Sequence, residues 1–409
     1  MREMKDSGVK WIGEIPVTWN VYRNKNAFVC SKDLVGGKSS ETQLLSLTTK
    51  GIKLKDINNA EGKLPESFDT YQYVKKDEMV MCLFDLDCSA VFSGLSPYDG
   101  MISPAYKVLT CTDRMEPKYA DYWFQYISHG RKFNHYAKNI RYTLSYEEFS
   151  ALPMLFPDRE EQIRISNYWD AKCSKIDEII EKQHAIIEKL KEYKLSYINE
   201  VTNVNDGIKC HLGFIGQMKN GLNFTDTSEG HKIKFLGVGD FKDNFFVDKE
   251  EMFSTIISEE NVAEDYMLHS GDIVFVRSNG SKELVGRAVM VNGIEYPVTY
   301  SGFCIRFRNI RPDIIDSKFL LYYFRSLDFR KQLEKYSQGS NISNLNQDLL
   351  SSLQFTIPSK DYQKRRLDEM EIKCKEIDNA VIKFEGMNNK LQEYKKSLIY
   401  EVVTGKKEV

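Results

Sequence analysis

The chain has 409 residues, 42% of them hydrophobic, and a formal net charge of −2. That length and apolar content allow two sizeable cores, and the charge excludes a uniformly basic nucleic-acid-binding protein, so any nucleic-acid contact requires a local patch. No apolar leader or run of about 18 apolar residues occurs, and the eight cysteines lack paired metal spacing. These features predict a soluble, cytoplasmic protein with reduced thiols.

Residues 1–157 are expected to form the first globular domain. Short strand-like runs separated by glycine turns predict a mostly-β domain with a few helices. Residues 122–146 contain no acidic side chain and include Arg131, Lys132 and Arg141 among aromatic residues. Such a loop suits contacts with phosphates and bases, and the alternative is a solvated helix face above core aromatics.

Residues 158–203 are predicted to form one long helix. Asp158 and Glu161 have the spacing of a capping box, in which the Asp158 side chain accepts the amide of residue 161 and the Glu161 side chain returns to the amide of residue 158. No Gly or Pro follows until Gly207, so the rod is roughly 65 Å long at ~1.5 Å per residue. One narrow apolar seam, spaced by alternating steps of four and three, indicates a coiled coil. Its positions are Trp169, Cys173, Ile176, Ile180, Gln183, Ile187, Leu190, Lys194, Tyr197 and Val201.

The second half of the chain repeats the first. Residues 204–357 are predicted to form a second globular domain, and residues 358–409 a second long helix. At a shift of 201 residues, 17 of 46 positions in the two helical segments are identical, which indicates a tandem duplication. The second seam consists of Met370, Cys374, Ile377, Val381, Phe384, Asn388, Leu391, Lys395, Leu398 and Val402.

The second globular domain has its own polar candidates. An apolar run at residues 273–276 leads into Arg277, Ser278 and Asn279, where arginine suits guanine, asparagine suits adenine, and serine or lysine can hold phosphate. The alternative is an ordinary polar hairpin.

Three stretches resemble the specificity (S) subunit of type I DNA restriction-modification systems. They are residues 8–16 (GVKWIGEIP) with Trp19, residues 157–163 (PDREEQI), and residues 398–406 (LIYEVVTGK). Arg277-Ser278-Asn279-Gly280 is also similar to reading-domain loops of that family. One departure is Tyr362, which stands where glutamate is expected, so half of the second capping box is lost and a looser helix start is expected.

The resemblance implies an α+β fold with two mostly-β target-recognition domains related by pseudo-two-fold symmetry and joined by two long antiparallel coiled-coil helices. It implies a non-catalytic, cytoplasmic subunit that reads a split, asymmetric site in double-stranded DNA, with one half-site per domain. Two methyltransferase (M) subunits carrying S-adenosylmethionine and restriction/translocase (R) subunits using ATP and Mg²⁺ are the implied partners, with no cofactor in this chain and no membrane. Heads one DNA turn apart would be ~34 Å apart, so we hypothesise that the helices act as a ruler.

The DNA-binding candidates are basic, amide, hydroxyl and aromatic side chains in the predicted loops. They are Lys38, Lys50, Arg131, Lys132, Arg141, Tyr142, Lys219, Asn220, Arg277, Ser278, Asn279, Lys282, Asn341 and Asn344.

Two other functions remain open. Residues 235–239 (FLGVG) and Ser96-Pro97-Tyr98 resemble parts of an N6-adenine methyltransferase. However, the second motif lacks a proline, and the two lie in different copies of the repeat. A protein-binding coiled-coil scaffold is the other alternative. Scattered histidines give no zinc spacing, and no catalytic or metal-binding residue is predicted.

Overall fold

The chain forms two compact units in the computed structural model, which describes residues 2–49, 51–56, 65–86, 92–137, 142–224, 230–258, 261–281, 283–336 and 344–409. The first unit comprises residues 1–183 and 386–409, and the second comprises residues 184–385. Both boundaries fall within long helices, so each helix contributes one half to each unit. In the described part of the chain, no helix is both long and apolar enough to cross a bilayer.

The first unit consists of short strands and three helical segments, with half of a second long helix. Its strands are β1 (Met4–Asp6), β2 (Glu14–Pro16), β3 (Asn20–Arg23), β4 (Phe28–Ser31), β5 (Leu45–Thr48), β6 (Gly51–Leu54), β7 (Gln72–Val74), β8 (Met79–Met81), β9 (Ser93–Leu95), β10 (Gly100–Ile102), β11 (Lys107–Cys111) and β12 (Pro153–Phe156). Its helices are α1 (Pro117–His129), α2 (Tyr146–Ala151) and the first half of α3 (Arg159–Thr202).

The second unit has a similar succession of elements. Its strands are β13 (Ile208–His211), β14 (Gly216–Asn220), β15 (His231–Leu236), β16 (Phe246–Val247), β17 (Ser254–Ser258), β18 (Ile273–Val276), β19 (Ala288–Val291), β20 (Val298–Tyr300), β21 (Cys304–Asn309) and β22 (Gln354–Ile357). Its helices are α4 (Leu212–Ile215), α5 (Ser317–Phe324), α6 (Leu327–Tyr336), α7 (Gln347–Ser352) and the first half of α8 (Lys360–Val403).

The main sheets of the two units share one strand order. In the first unit the order is β4-β11-β8-β9, and in the second it is β14-β21-β18-β19, extended by β16. The central strand of each sheet feeds two cores, because successive side chains point to opposite faces. In the first unit Met79 and Met81 belong to one hydrophobic core and Val80 to another. In the second unit Ile273 and Val274 likewise belong to two different cores. The duplication therefore extends to the globular domains, and the α+β prediction is confirmed.

A buried glutamine attaches each globular part to its long helix. Gln162 Nε2 donates to the carbonyls of residues 114 and 157, at 2.9 and 3.0 Å, and Gln162 Oε1 accepts the amide of residue 116 at 2.8 Å. Gln363 makes the equivalent bonds, all within 2.9 Å, to the carbonyls of residues 314 and 358 and to the amide of residue 316. Both side chains are fully used, so neither leaves an unsatisfied polar group in the core.

The start of α3 is only partly as predicted. Asp158 Oδ1 accepts the amide of Glu161 at 2.8 Å, which confirms the forward half of the capping box. The prediction of a return bond to the Asp158 amide was wrong. The Glu161 carboxylate instead accepts from Trp19 Nε1 at 2.9 Å and pairs with the Arg2 guanidinium. An ion pair and an indole donor hold the charged carboxylate more strongly than a local amide would.

Tyr362, which stands where a capping glutamate is expected, makes a different hydrogen bond. The Ser359 hydroxyl accepts the Tyr362 amide at 3.3 Å, a longer cap than the one on α3, and the Tyr362 hydroxyl donates to the carbonyl of Val201 at 3.0 Å. That bond joins the first turn of α8 to the last turn of α3 within the second unit.

Replacing Tyr362 with phenylalanine is expected to lower the free energy of unfolding by about 1 kcal/mol, because the Val201 carbonyl loses its tyrosine donor. Urea unfolding followed by circular dichroism measures this change. Tyr193→Phe, at a residue 49% exposed on α3, is the control and should change stability little. Equal stability of the Tyr362 variant and the wild type would contradict the role of the hydroxyl.

The long helices pair in antiparallel fashion in both units. All seam positions are buried or half-buried, and the two seam lysines form ion pairs across the helices. In the first unit Lys395 donates to Asp177 at 2.7 and 2.8 Å, and in the second unit Lys194 donates to Asp378 at 2.7 Å. These residues correspond at a shift of 201, so the same ion pair forms twice. The predicted coiled-coil helices are confirmed.

Residues 8–19 pack against residues 404–406 in the first unit. Lys406 Nζ donates to the carbonyl of Ile12 at 3.2 Å. Gly405 has a φ of +71°, and a Cβ built there would lie 2.5 Å from the Pro16 ring and 3.0 Å from the Trp19 ring. The close approach requires glycine, and it brings together two stretches that carried the family resemblance.

Asp121 on α1 is a carboxyl held in a largely apolar setting. It accepts the amide of Leu95 at 3.2 Å and Gln125 Nε2 at 2.8 Å. Burial raises its pKa to about 6, although both hydrogen bonds oppose the shift. The folded state therefore binds this proton more tightly than the unfolded state does.

It follows that the Asp121 contribution to stability is greatest below pH 4 and is lost as the pH rises from about 4 to 6. Asp121→Asn removes this titration. The melting temperature of the variant minus that of the wild type should therefore increase as the pH rises through this range. Differential scanning fluorimetry from pH 4 to 7.5 tests this, with Asp113→Asn as an exposed control. A constant difference between variant and wild type across the range would refute the assignment.

Candidate nucleic-acid interface

The candidate interface of the second unit lies where β18 ends. Val276 pairs with Cys304 of β21, and the next residue, Arg277, donates its amide to the Phe303 carbonyl at 2.8 Å and accepts the Leu345 amide at 2.8 Å. Ser278 forms an antiparallel bridge with Asn344. The structure thus brings together three predicted residues, Arg277, Ser278 and Asn344, on a backbone fixed from both sides.

The Arg277 side chain is half-buried and loosely satisfied. Its Nη1 donates to the Gly302 carbonyl at 3.3 Å, and its Nε is buried without an acceptor among the described residues. A guanidinium has five N–H donors. Arg277 therefore keeps donor capacity for a base edge or a phosphate.

Asn220 lies at the same end of the sheet. It is the last residue of β14 and pairs with Ile305, which in turn pairs with Phe275, two residues before Arg277. Asn220 therefore joins Arg277, Ser278 and Asn344 in one group, which we call the strand-end group.

Lys219 is engaged within the protein. Its ammonium pairs with the Asp265 carboxylate and lies 3.9 Å from the centre of the Tyr266 ring, and this contact lowers the pKa of Asp265. Arg306, fully buried beside it, donates to the Asp265 carbonyl at 2.9 Å. Lys219 would have to leave Asp265 to bind phosphate, so the structure favours a structural role for it.

Asn279 directly follows Ser278 of this group. Asn279 Oδ1 accepts the amide of Ser281 at 2.8 Å, a turn that uses the side-chain oxygen locally. Asn344 is exposed. Lys282 and Asn341 lie outside the described residues.

In the first unit the described candidates lie in three separate segments of the chain. Arg131 is exposed with a φ of +48° just after α1, and half-buried Lys132 follows it. Tyr142, with a φ of +46°, accepts the Leu86 amide at 3.3 Å. Lys38 is exposed in a separate turn. Lys50 and Arg141 lie outside the described residues.

The repeat reveals an equivalent of Arg277 that the sequence analysis missed. Leu144 donates its amide to the Leu83 carbonyl at 2.8 Å, as Leu345 donates to Arg277, and positions 144 and 345 correspond at a shift of 201. The first unit therefore has Leu83, followed by Phe84, where the second unit has Arg277 and Ser278. Phe84 stacks on Tyr106, with ring centroids 6.1 Å apart and 6° between the planes. Leu83 and Arg277 are 194 residues apart, not 201, so the register of the long helices would not have located this position, and the equivalent hydrogen bond identifies it.

Phe303 was also missed. It is 58% exposed in the turn whose carbonyl holds the Arg277 amide. Beside it, Leu222, Phe224 and Phe235 line a cavity of about 490 Å³. An exposed aromatic side chain next to the half-buried guanidinium of Arg277 suits contact with a base or a thymine methyl. The only sequence signal was an aromatic residue directly after a Ser-Gly turn.

In both motifs of the methyltransferase alternative, a main-chain group bonds to a side chain within the motif or next to it. Asp240 Oδ2 accepts the Gly237 amide at 2.8 Å, closing the glycine-rich turn. The Ser96 hydroxyl donates to the Tyr98 carbonyl at 2.7 Å. Among the described residues, no cluster of three His, Cys, Asp or Glu side chains is arranged to hold a metal ion.

Comparison with known proteins gives consistent matches. Residues 210–399 match the family model described as the type I restriction modification DNA specificity domain. The specificity subunit of the type I restriction enzyme EcoKI from Escherichia coli K12 is 25% identical over 146 residues, which cover 36% of this chain and 31% of that protein. The StySPI specificity subunit from Salmonella potsdam is 24% identical over 300 residues, covering 65% of this chain and 63% of that protein.

A solved structure shares the fold over most of the chain. A chain from a structure of a type I R-M system aligns with a TM-score of 0.73 at 13% identity and covers 96% of this chain and 99% of that one. The chain spans about a third and just under two thirds of the two curated relatives. Both relatives are named as specificity subunits, as the sequence resemblance implied. This chain is therefore similar in sequence to type I restriction-modification specificity subunits.

Proposed function

We propose that this chain is the DNA-recognition subunit of a type I restriction-modification complex and reads a bipartite, asymmetric site with one half-site per globular domain. Two methyltransferase subunits would dock on it and carry S-adenosylmethionine, and restriction subunits would supply ATP- and Mg²⁺-dependent functions. The chain itself would perform no chemistry.

One observation carries this proposal: a single backbone position in a repeated frame holds different chemistry in each unit. The backbone at Leu83 and at Arg277 makes the same hydrogen bond to an equivalent residue. Leu83 is buried in the core and Phe84 is half-buried, so Phe84 is the side chain that can offer an apolar contact such as one with a thymine methyl, whereas arginine suits guanine. Two readers built on one frame with unlike side chains would recognise unlike sequences.

The test is to identify the methylated sequence and then measure binding. The chain would be co-expressed with its methyltransferase partner, and methylated adenines mapped by single-molecule sequencing of host DNA. The expected motif has two unequal halves separated by unread bases. A continuous or palindromic motif would contradict the proposal.

Binding then separates the alternatives. The complex should prefer the mapped duplex to duplexes with either half scrambled, and affinity should fall steeply between 50 and 200 mM salt because phosphate contacts release counterions. Methyl transfer by the isolated chain with S-adenosylmethionine would favour the stand-alone methyltransferase. No DNA binding by the complex would favour the scaffold.

A further inference from the structure

Two amides are buried in the seam of the first unit, which is otherwise apolar except for Lys395. Gln183 and Asn388 are each 7% exposed, and Gln183 Oε1 and both amide atoms of Asn388 have no hydrogen-bond partner among the described residues. From the Asp177–Lys395 ion pair, Gln183 lies six residues forward and Asn388 seven residues back. At ~1.5 Å per residue these are rises of about 9 and 10.5 Å, so the two amides occupy one layer of the seam, the polar layer.

The neighbouring layer, in the second unit, is apolar. Ile187 is 3% exposed and Phe384 is half-buried. From the Lys194–Asp378 ion pair, Ile187 lies seven residues back and Phe384 six residues forward. These two side chains therefore share the apolar layer.

The duplication creates a risk of wrong pairing. Because α3 and α8 are related copies, α3 has the register needed to pair with α3 of a second chain. In that pairing, Trp169 would meet Val201 in place of Val402. Lys194 would find Asp177 in place of Asp378, since the ion pair is repeated. Most layers therefore do not distinguish the correct partner from a second copy.

The two central layers do distinguish them. In the α3–α8 pair, amide meets amide and hydrocarbon meets hydrocarbon. In an α3–α3 pair Gln183 would face Ile187, and in an α8–α8 pair Asn388 would face Phe384, so every central layer would bury an amide against hydrocarbon. Gln183 and Asn388 do not bond to each other in this conformation, but each has the other amide in its own layer and can reach it by a change of side-chain rotamer. An amide that faces hydrocarbon has no such neighbour and bears the full desolvation cost. Single polar seam positions are known to select coiled-coil partners.

We propose that Gln183 and Asn388 select the helix of the same chain as partner and exclude a second copy of the protein. They contribute specificity at the expense of stability, since two apolar residues would pack more favourably in the same layer.

The test inverts the pattern in the full chain. Ile187→Gln combined with Asn388→Leu puts two amides on α3 and two apolar residues on α8, so that like meets like only between two copies. After refolding from urea, light scattering on a sizing column should show mainly a dimer, of twice the 47.5 kDa chain mass. Gln183→Asn with Asn388→Gln preserves the match and should remain monomeric, as the wild type should. A monomeric inverted variant, or a dimeric matched control, would overturn the proposal.

A second variant covers the possibility that the inverted chain does not fold. Gln183→Leu with Asn388→Leu makes both central layers apolar, which should raise the melting temperature while removing the discrimination. At equal concentration its dimer fraction after refolding should exceed that of the wild type at least tenfold. A more stable variant that remained as monomeric as the wild type would show that the polar layer does not select the partner.

Discussion

Replacement of Gly405 by alanine is expected to lower the melting temperature of the first unit on the order of 10 °C. A positive φ costs a residue with a side chain about 1–2 kcal/mol, and overpacking a tight core costs about 1–3 kcal/mol. The added methyl group would overlap the Pro16 ring, at 2.5 Å, and approach the Trp19 ring. Neither ring can move aside as a flexible side chain would, so both costs apply.

The matched control is Gly8→Ala. Gly8 has nearly the same φ, +74°, and nothing lies within 4 Å of its Cβ position, so this variant bears the conformational cost alone. Thermal melts of both variants, read by near-ultraviolet circular dichroism of the tryptophans, separate the two contributions. Equal melting temperatures for the two variants would show that residues 404–406 do not pack on Trp19 in solution.

Arg277→Ala should relax base selectivity at one position of one half-site and leave the other half-site unchanged. A bidentate arginine–guanine contact contributes about 1–3 kcal/mol of discrimination, so preference for the correct base should fall by roughly tenfold to a hundredfold. Arg277→Lys should recover affinity better than selectivity, because lysine lacks the planar fork. Fluorescence anisotropy with duplexes varied one base pair at a time, using the chain in its methyltransferase complex, measures both quantities.

Arg311→Ala is the control for this series. Arg311 follows β21 at the end opposite Cys304, and its guanidinium pairs with Asp313 at 2.9 Å. It lies away from the strand-end group, so its loss should leave base selectivity intact. Uniform weakening across all duplexes by Arg277→Ala would identify a phosphate contact in place of a base contact.

The helices were predictable because their signals are local. Seam spacing and the Asp158 cap follow from residues close in sequence, and the repeat is found by comparing two continuous segments of the chain. The return bond of Glu161 was not predictable, because its partners Trp19 and Arg2 are more than 140 residues away in the chain. Tertiary partners replaced a local hydrogen bond there, and no pattern around residue 161 indicates them.

The residues of the candidate interface also differ in whether local sequence or tertiary structure reveals them. Arg277 was found because a strand-like run leads directly into it. Asn220 and Asn344 were named from their polar loops, but their meeting with Arg277 depends on the strand order β14-β21-β18, which local periodicity does not give. Leu83 and Phe84 were missed because apolar residues in a strand-like run are ordinarily interpreted as core residues. Their position is revealed only by the Leu83 hydrogen bond, which is equivalent to that of Arg277.

The glutamine contacts at the helix starts have an evolutionary consequence. Gln162 and Gln363 bond only to main-chain carbonyls and amides of their globular parts, and main-chain groups are the same whatever side chain is attached. Side-chain substitutions in a globular part therefore leave its hydrogen bonds to the glutamine intact as long as the local backbone conformation is kept. Under the proposed function, selection for a new target sequence can change the surface side chains of a globular domain while the hydrogen bonds between that domain and its long helix stay the same.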